Sequence, residues 1–222
     1  MTCCHHCRDA EGFFTSRTAR RELRRYRRKG PAKATRLLLE ALEAEGVEGA
    51  TLLDVGGGIG AIQHELFPRG LSGATQVDAS TAYLDRSREQ AERKGHADRV
   101  TWIYGDFVEK APDLPGADLV TLDRVICCYP HLEALLGASL ARTNRVLGLV
   151  YPRDRWGTRV ALAVGNLWFR LRRSAFRVYL HPPDRVRALA QEAGFRPAVM
   201  SRTFLWRVET YVGGGTREDE VQ

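Results

Sequence analysis

Residues 52–62, LLDVGGGIGAI, join an apolar run to a cluster of glycines and then to a segment that can begin a helix. The apolar run reads as a strand buried on both faces, and the glycines as a tight strand-to-helix corner. Glycine has the most backbone entropy to lose on folding, so such a corner weakens a fold unless something else needs it. A ligand is one such need. Without Cβ atoms, Gly56, Gly58 and Gly60 let the backbone approach a bound molecule and present N–H groups at a helix start. The corner lacks the Lys-Ser/Thr pair of a phosphate-cradling P-loop, so nothing in it would neutralise a triphosphate.

The rest of the chain repeats the strand–helix theme. ATLLDV, ATQVD, VTWIYGD, ADLVTLD and RVLGLVY read as short apolar strands. Helical stretches are expected between them, over residues 59–67, 81–94 and 132–143. This alternation predicts an α/β fold of Rossmann-like type: a mostly parallel seven-stranded sheet with helices on both faces. HPPDRVRALAQEAGF then reads as a helix, and RPAVMSRT with LWRVETYV as an antiparallel C-terminal hairpin. Upstream, residues 18–45 are helical in pattern but broken at KGPAK, where Gly30 and Pro31 end one helix and open another. The expected organisation is a Cys/His leader and helical cap over 1–46, a main domain over 47–212 with a covering insertion at 152–180, and a disordered tail at 213–222.

Acidic residues close three successive strands. Asp78 ends the second, where a carboxylate can accept both hydroxyls of a ribose. Asp106 ends the third beside Phe107, an acceptor for an amino group next to an apolar face for a purine. Each acid alone has a plainer reading: Asp54 or Asp78 as a helix cap, Asp106 as a turn residue. As a set at neighbouring strand ends they point to a nucleoside site, because open parallel sheets bind ligands at the carboxyl ends of their strands.

Asp-x-Gly-x-Gly-x-Gly, an acid ending strand two and Gly-Asp-Phe ending strand three together resemble the class I S-adenosylmethionine-dependent methyltransferases. The resemblance spans residues 51–151. It implies that the methionine portion of S-adenosylmethionine lies over Asp54, Gly56 and Gly58, with Gly60, Ala79 and Asp123 around it. Asp78 would hold the ribose, and Asp106 and Phe107 would flank the adenine. A dinucleotide enzyme is the competing reading, but Ala61 stands where its Gly-x-Gly-x-x-Gly fingerprint wants a third glycine.

The Asn/Asp-Pro-Pro-Tyr/Phe motif of many base-modifying methyltransferases is absent; Asp123-Arg124-Val125-Ile126 stands there, which weighs against nucleic acid as substrate. VICCYP, Tyr151-Pro152 and FRVYLHPPDRVRALAQEAGF look similar to the magnesium-protoporphyrin O-methyltransferases. Two departures stand out. Cys128 occupies the place of that family's proposed catalytic His, and Phe13-Phe14 that of its Tyr-Phe pair. The candidates for acceptor chemistry are therefore Arg124, Cys128, Tyr129 and His181, with Tyr151 and Arg153 nearby. Either arginine could clamp an anion or stay exposed; His181 could be a base or a packing residue; Cys128 a nucleophile or a small hydrophobe.

The net charge of +7 is local in origin. Residues 17–29 hold eight basic side chains against one acid, Glu22, and residues 151–180 hold seven arginines against Asp154. These segments suit an acidic or amphiphilic acceptor, or peripheral contact with anionic lipid. No apolar run approaches the roughly 18–20 residues of a membrane span, and MTCCHHCRDAEGFF has no signal-peptide core, so the expected location is cytoplasmic. Cys3, Cys4 and Cys7 are too compact to close a zinc site alone, and Cys127/Cys128 could complete one only if the leader folds over the pocket. No metal is expected, and no obligate protein partner is evident. The expected reaction is methyl transfer from S-adenosylmethionine to an oxygen, or secondarily a nitrogen, of a small acidic molecule. The rivals are an RNA methyltransferase and a non-catalytic cofactor-binding protein.

Overall fold

The computed structural model describes residue 12, residues 15–172, residue 174 and residues 176–213. The cysteine leader, Phe13-Phe14 and the acidic tail lie outside these. Before the sheet come α1 (Ser16–Lys29) and α2 (Lys33–Ala44). Gly30, at φ 68, takes a positive-φ backbone that favours glycine and ends α1 ahead of Pro31. Then follow β1 (Thr51–Val55), α3 (Ala61–Leu66), β2 (Gly73–Asp78), α4 (Thr81–Lys94), β3 (Val100–Tyr104), α5 (Phe107–Lys110), β4 (Ala117–Asp123), α6 (Leu132–Leu140) and β5 (Thr143–Pro152). The chain continues through α7 (Trp156–Leu171), α8 (Pro183–Glu192), β6 (Phe195–Arg202) and β7 (Trp206–Gly213).

The seven strands form one sheet in the order β3-β2-β1-β4-β5-β7-β6. The first five are parallel; β7 runs antiparallel between β5 and β6. Strand order reverses between β1 and β4, which opens a crevice at their carboxyl ends. Alternation along β1 sorts the core into two layers. Leu53 and Val55 pack with Leu135 and Leu136 of α6 and Val186 of α8. Leu52 faces the other way, onto Leu38 and Leu42 of α2 and Ile62 and Leu66 of α3. Leu38 and Leu42 are wholly buried, each worth about 1.5–3 kcal/mol. They fasten the N-terminal helices to the back of the sheet.

Two expected helices are shorter than their sequence pattern. The stretch at 59–67 becomes helical only from Ala61, because Gly60 sits at φ 74, and it tightens to a 3₁₀ turn at Phe67–Arg69 around Pro68. The stretch at 132–143 ends at Leu140, and Thr143 already belongs to β5.

Candidate active site

The glycine corner has a distinct constraint at each position. Gly56 is at φ 60, and a Cβ there would lie 2.6 Å from Val125 Cγ2. A Cβ at Gly57 would collide with Oδ2 of Asp54, which lies beneath the loop. Gly60 departs from its expected binding role. It does not line the cleft; its left-handed φ starts α3, and a Cβ would run into the Ser87 hydroxyl. A buried polar network sets the loop from behind. Gln76 Nε2 donates to the Gly58 carbonyl at 2.7 Å, and Gln63 and Ser87 both donate to Gln76 Oε1. With its carbonyl held there, Gly58 donates its N–H to Asp78 Oδ2 at 2.9 Å.

In front of the loop lies a cleft of about 1140 Å³ including its open mouth. Its walls include Asp54, Gly56, Gly58, Asp78, Ala79, Asp106, Phe107 and Asp123. The strand ends therefore bring together every cofactor-side residue expected from sequence except Gly60. Asp54 is 1 % exposed and accepts from Thr121 Oγ1 at 2.8 Å through Oδ1, while its buried Oδ2 has no partner among the described residues. Burial, and after it the nearby Asp123 and Asp78 charges, push its pKa up to about 7 against the Thr121 bond. Asp78 takes one backbone N–H on each oxygen, from Gly58 and Ser80, and burial lifts it to about 6. A carboxylate offers about four acceptor positions, so Asp78 retains capacity for hydroxyl donors. It is not the cap of α4; Ser80 is.

Asp106 does cap α5, through Val108 N–H, yet it also faces the cleft. Tyr129 Oη lies 3.1 Å from both of its carboxylate oxygens. Asp123 is held from two sides: Thr35 Oγ1 donates to Oδ2 at 2.6 Å and Arg124 Nε to Oδ1 at 3.0 Å.

The expected acceptor-side residues divide. Arg124, Cys128 and Tyr129 line the cleft. Arg124 is the only non-glycine residue with positive φ (65) among the described residues, a conformation that a residue with a Cβ rarely adopts. It is already engaged with Asp123 and lies 4.0 Å from Glu22, which leaves it less suited to clamp a free anion. Burial opposes its charge, but Asp123 and Glu22 hold its pKa above the ordinary value. The thiols of Cys127 and Cys128 lie 3.8 Å apart. The Cys127 hydrogen bond makes Cys128 the more acidic of the two; burial works against this and Arg124 with it.

Three candidates fall outside the cleft. His181 Nε2 donates to the carbonyls of Ile126 (3.1 Å) and Tyr129 (3.0 Å), so it buttresses the Cys128 turn from behind. Tyr151 is buried and donates to Glu209 at 2.7 Å. Arg153 donates to the Thr203 carbonyl beyond the sheet edge. Among the described residues no cluster of His, Cys, Asp and Glu could hold a metal ion, and the leader cysteines lie outside them.

Sequence reasoning missed Glu22 and Tyr83, both in the cleft wall. Glu22 was the single acid in a basic run, and that oddity was the available signal. Tyr83 carried none, because one tyrosine in a helix reads as packing.

The O-methyltransferase domain family model matches residues 12–140. A 3-amino-4-hydroxybenzoate 4-O-methyltransferase of Streptomyces cremeus is 38% identical over 94 residues, 39% of this chain. The match spans only 24% of that relative's length. Magnesium protoporphyrin IX methyltransferase from Synechocystis, solved with bound S-adenosylmethionine, superposes with a TM-score of 0.70 at 16% identity, covering 96% of this chain and 99% of that one. An O-methyltransferase family 2 protein from Planctomyces limnophilus, complexed with apigenin, has a TM-score of 0.60 at 16% identity, over 83% of this chain and 62% of its own.

Proposed function

Because the chain belongs to the O-methyltransferase domain family, whose members draw on S-adenosylmethionine, we propose that it methylates an oxygen of a small or amphiphilic acidic molecule. One observation carries the reading: Asp54, Asp78 and Asp106, from the ends of three adjacent strands, converge on a single cleft. The cleft fits S-adenosylmethionine on its own geometry. Asp54 presents a buried oxygen without a partner among the described residues, suited to an ammonium group, and Gly56, Gly57 and Gly58 line the cleft. Asp78 would take the ribose hydroxyls, and Asp106 and Phe107 would flank the base.

When bound, S-adenosylmethionine supplies a methyl group made electrophilic by its sulfonium. The chain's own work is alignment and exclusion of water. Val125, Leu135 and Phe107 give the cleft apolar walls. Cys128 and Tyr129 stand on the acceptor side. No histidine or lysine lines the cleft among the described residues, which supports an acceptor oxygen acidic enough to arrive ionised. A carboxylate or an acidic phenol meets that need. The Streptomyces cremeus relative, a hydroxybenzoate 4-O-methyltransferase by name, supports the phenol.

The test is to incubate the protein with methyl-labelled S-adenosylmethionine and, separately, hydroxybenzoates, aliphatic carboxylic acids and RNA. Label on the oxygen of an acid or phenol is the expected outcome. Label on RNA, or donor binding with no transfer to any of these acids or phenols, overturns the reading.

A further inference from the structure

Helix α7 buries none of its side chains. At about 100° per residue, Trp156, Val160, Val164, Leu167, Trp168 and Leu171 fall within one sector of roughly 120°. These six are 50% to 81% exposed. The half-buried residues of the helix, among them Leu162, Asn166 and Phe169, lie on the opposite side. The apolar stripe therefore points away from the body of the protein. Arg159 and Arg170 border it on one edge and Arg172 on the other. Arg159 is paired with Asp154, while Arg155, Arg170 and Arg172 have no acidic partner among the described residues.

A second exposed apolar element is tied to the segment that leads into α7. The turn between β6 and β7 exposes Phe204 (81%) and Leu205 (53%). Arg153 fastens it beside the start of α7, donating its N–H to Leu205 O at 2.9 Å and its guanidinium to Thr203 O at 3.1 Å. Partial desolvation and the charges of Arg155, Arg202 and Arg207 lower the Arg153 pKa, a sign of crowded positive charge.

We propose that α7 and the Phe204-Leu205 tip form a docking face for an anionic lipid bilayer. Charge complementarity selects this occupant. Two copies meeting through the face would set arginine rows against each other, whereas an anionic headgroup plane takes the arginines at its phosphates and the stripe at the acyl boundary. None of the described helices is long and apolar enough to cross a membrane, so α7 lies on the surface rather than spanning it. The face connects to the cleft by a short strap. Asn166 exchanges two hydrogen bonds with Val178 (2.8 and 2.9 Å), and Tyr179 N–H donates to Cys127 O at 2.7 Å, next to Cys128 in the cleft wall. An amphiphilic acceptor held in the bilayer would thus arrive beside the cleft; the docking itself does not depend on the reaction proposed above.

The test is cosedimentation of the protein with phosphatidylglycerol-containing vesicles and with pure phosphatidylcholine vesicles, at low and high salt. Binding to the anionic vesicles is expected at low salt, falling about tenfold with high salt or neutral lipid. Leu167→Asp with Leu171→Asp, both exposed, should weaken it at least about tenfold without changing calorimetric uptake of S-adenosylhomocysteine. Absence of binding at low salt, or equal binding to neutral lipid, overturns the proposal. So does a dimer in sedimentation velocity that the double variant dissociates, because the face then belongs to a second copy. Loss of S-adenosylhomocysteine uptake would count against the cleft alone, so the two readings fail separately.

Discussion

Glu22 accepts a 2.8 Å hydrogen bond from the hydroxyl of Tyr83, joining α1 to α4 across the rim of the cleft. Ala19 and Leu23 on the same helix face pack with Tyr83 and Ile59. The other Glu22 oxygen faces Arg124 at 4.0 Å, so one carboxylate links the cap helix to the end of β4. Burial first, and then the Glu22 charge, raise the Tyr83 pKa, which keeps its hydroxyl a donor. In a double-mutant cycle on urea unfolding, Glu22→Ala and Tyr83→Phe should show a coupling of about 1 kcal/mol. Both single variants should also weaken S-adenosylhomocysteine binding. Additive stabilities would mean that the contact does not hold the cap.

Asp54 makes stability pH-dependent with a predictable sign. Its native pKa of about 7 lies above its ordinary value of 3.8, so the native state holds a proton that the unfolded chain releases first. The cost of ionising it is nil below pH 4, grows between about pH 4 and 7, and is complete above pH 7. About three pKa units correspond to a penalty on the order of 2–4 kcal/mol at neutral pH. Asp54→Asn removes it while leaving a carbonyl oxygen for Thr121. The melting temperature of the variant minus that of the parent should therefore rise from its lowest value near pH 3.5 to a plateau by about pH 8. A difference independent of pH would refute the buried, protonated carboxyl. The same variant should bind S-adenosylmethionine at least about tenfold more weakly, because a buried charge partner is gone.

The glycines provide a paired comparison. Gly56→Ala forces a side chain into a left-handed backbone and against Val125, at about 1–2 kcal/mol for the backbone alone. It should also abolish donor binding. Gly165, within α7, has nothing within 4 Å of its Cβ position and no positive φ. Gly165→Ala should therefore stabilise the protein by about 0.5–1 kcal/mol and leave binding intact. If both substitutions shift the unfolding midpoint alike, local geometry is not what sets the glycine at 56.

The strand-end lining of the cleft was legible because it is written in backbone chemistry. Glycines at a strand end and acids closing adjacent strands follow from chain geometry at consecutive positions, so Asp54, Asp78 and Asp106 could be read without a structure. The fold followed from the same alternation. Gly60 misled because its spacing continues the motif, while its contacts are with Ser87 and Gln63 behind the loop. The acceptor side resisted for another reason. Arg124 turns back onto its own neighbour Asp123 because its backbone takes a positive φ, and it meets Glu22 about 100 residues away in the chain; no local pattern reports either. The outward stripe of α7 was hidden likewise: an amphipathic period tells that one face differs from the other, but only the packing of Asn166 and Phe169 says which face the body covers.

His181 tests the division between catalytic and supporting residues. Its Nε2 is shared between the carbonyls of Ile126 and Tyr129, so the ring nitrogen facing the site region carries a proton and is committed to backbone. A general base needs a free lone pair there. His181→Ala removes the donor from two partly buried carbonyls, at about 1–3 kcal/mol, and releases the turn carrying Cys128 and Tyr129. His181→Gln, whose amide can donate to the same carbonyls, should recover most of that stability. If His181 supports the turn, His181→Gln should also recover most of the turnover, and the pH profile of kcat should keep its shape in both variants. If instead His181→Gln restores stability but not turnover, and the pH profile of kcat changes shape, then His181 acts on the reacting atoms through a rearranged loop and the supporting role assigned to it is wrong.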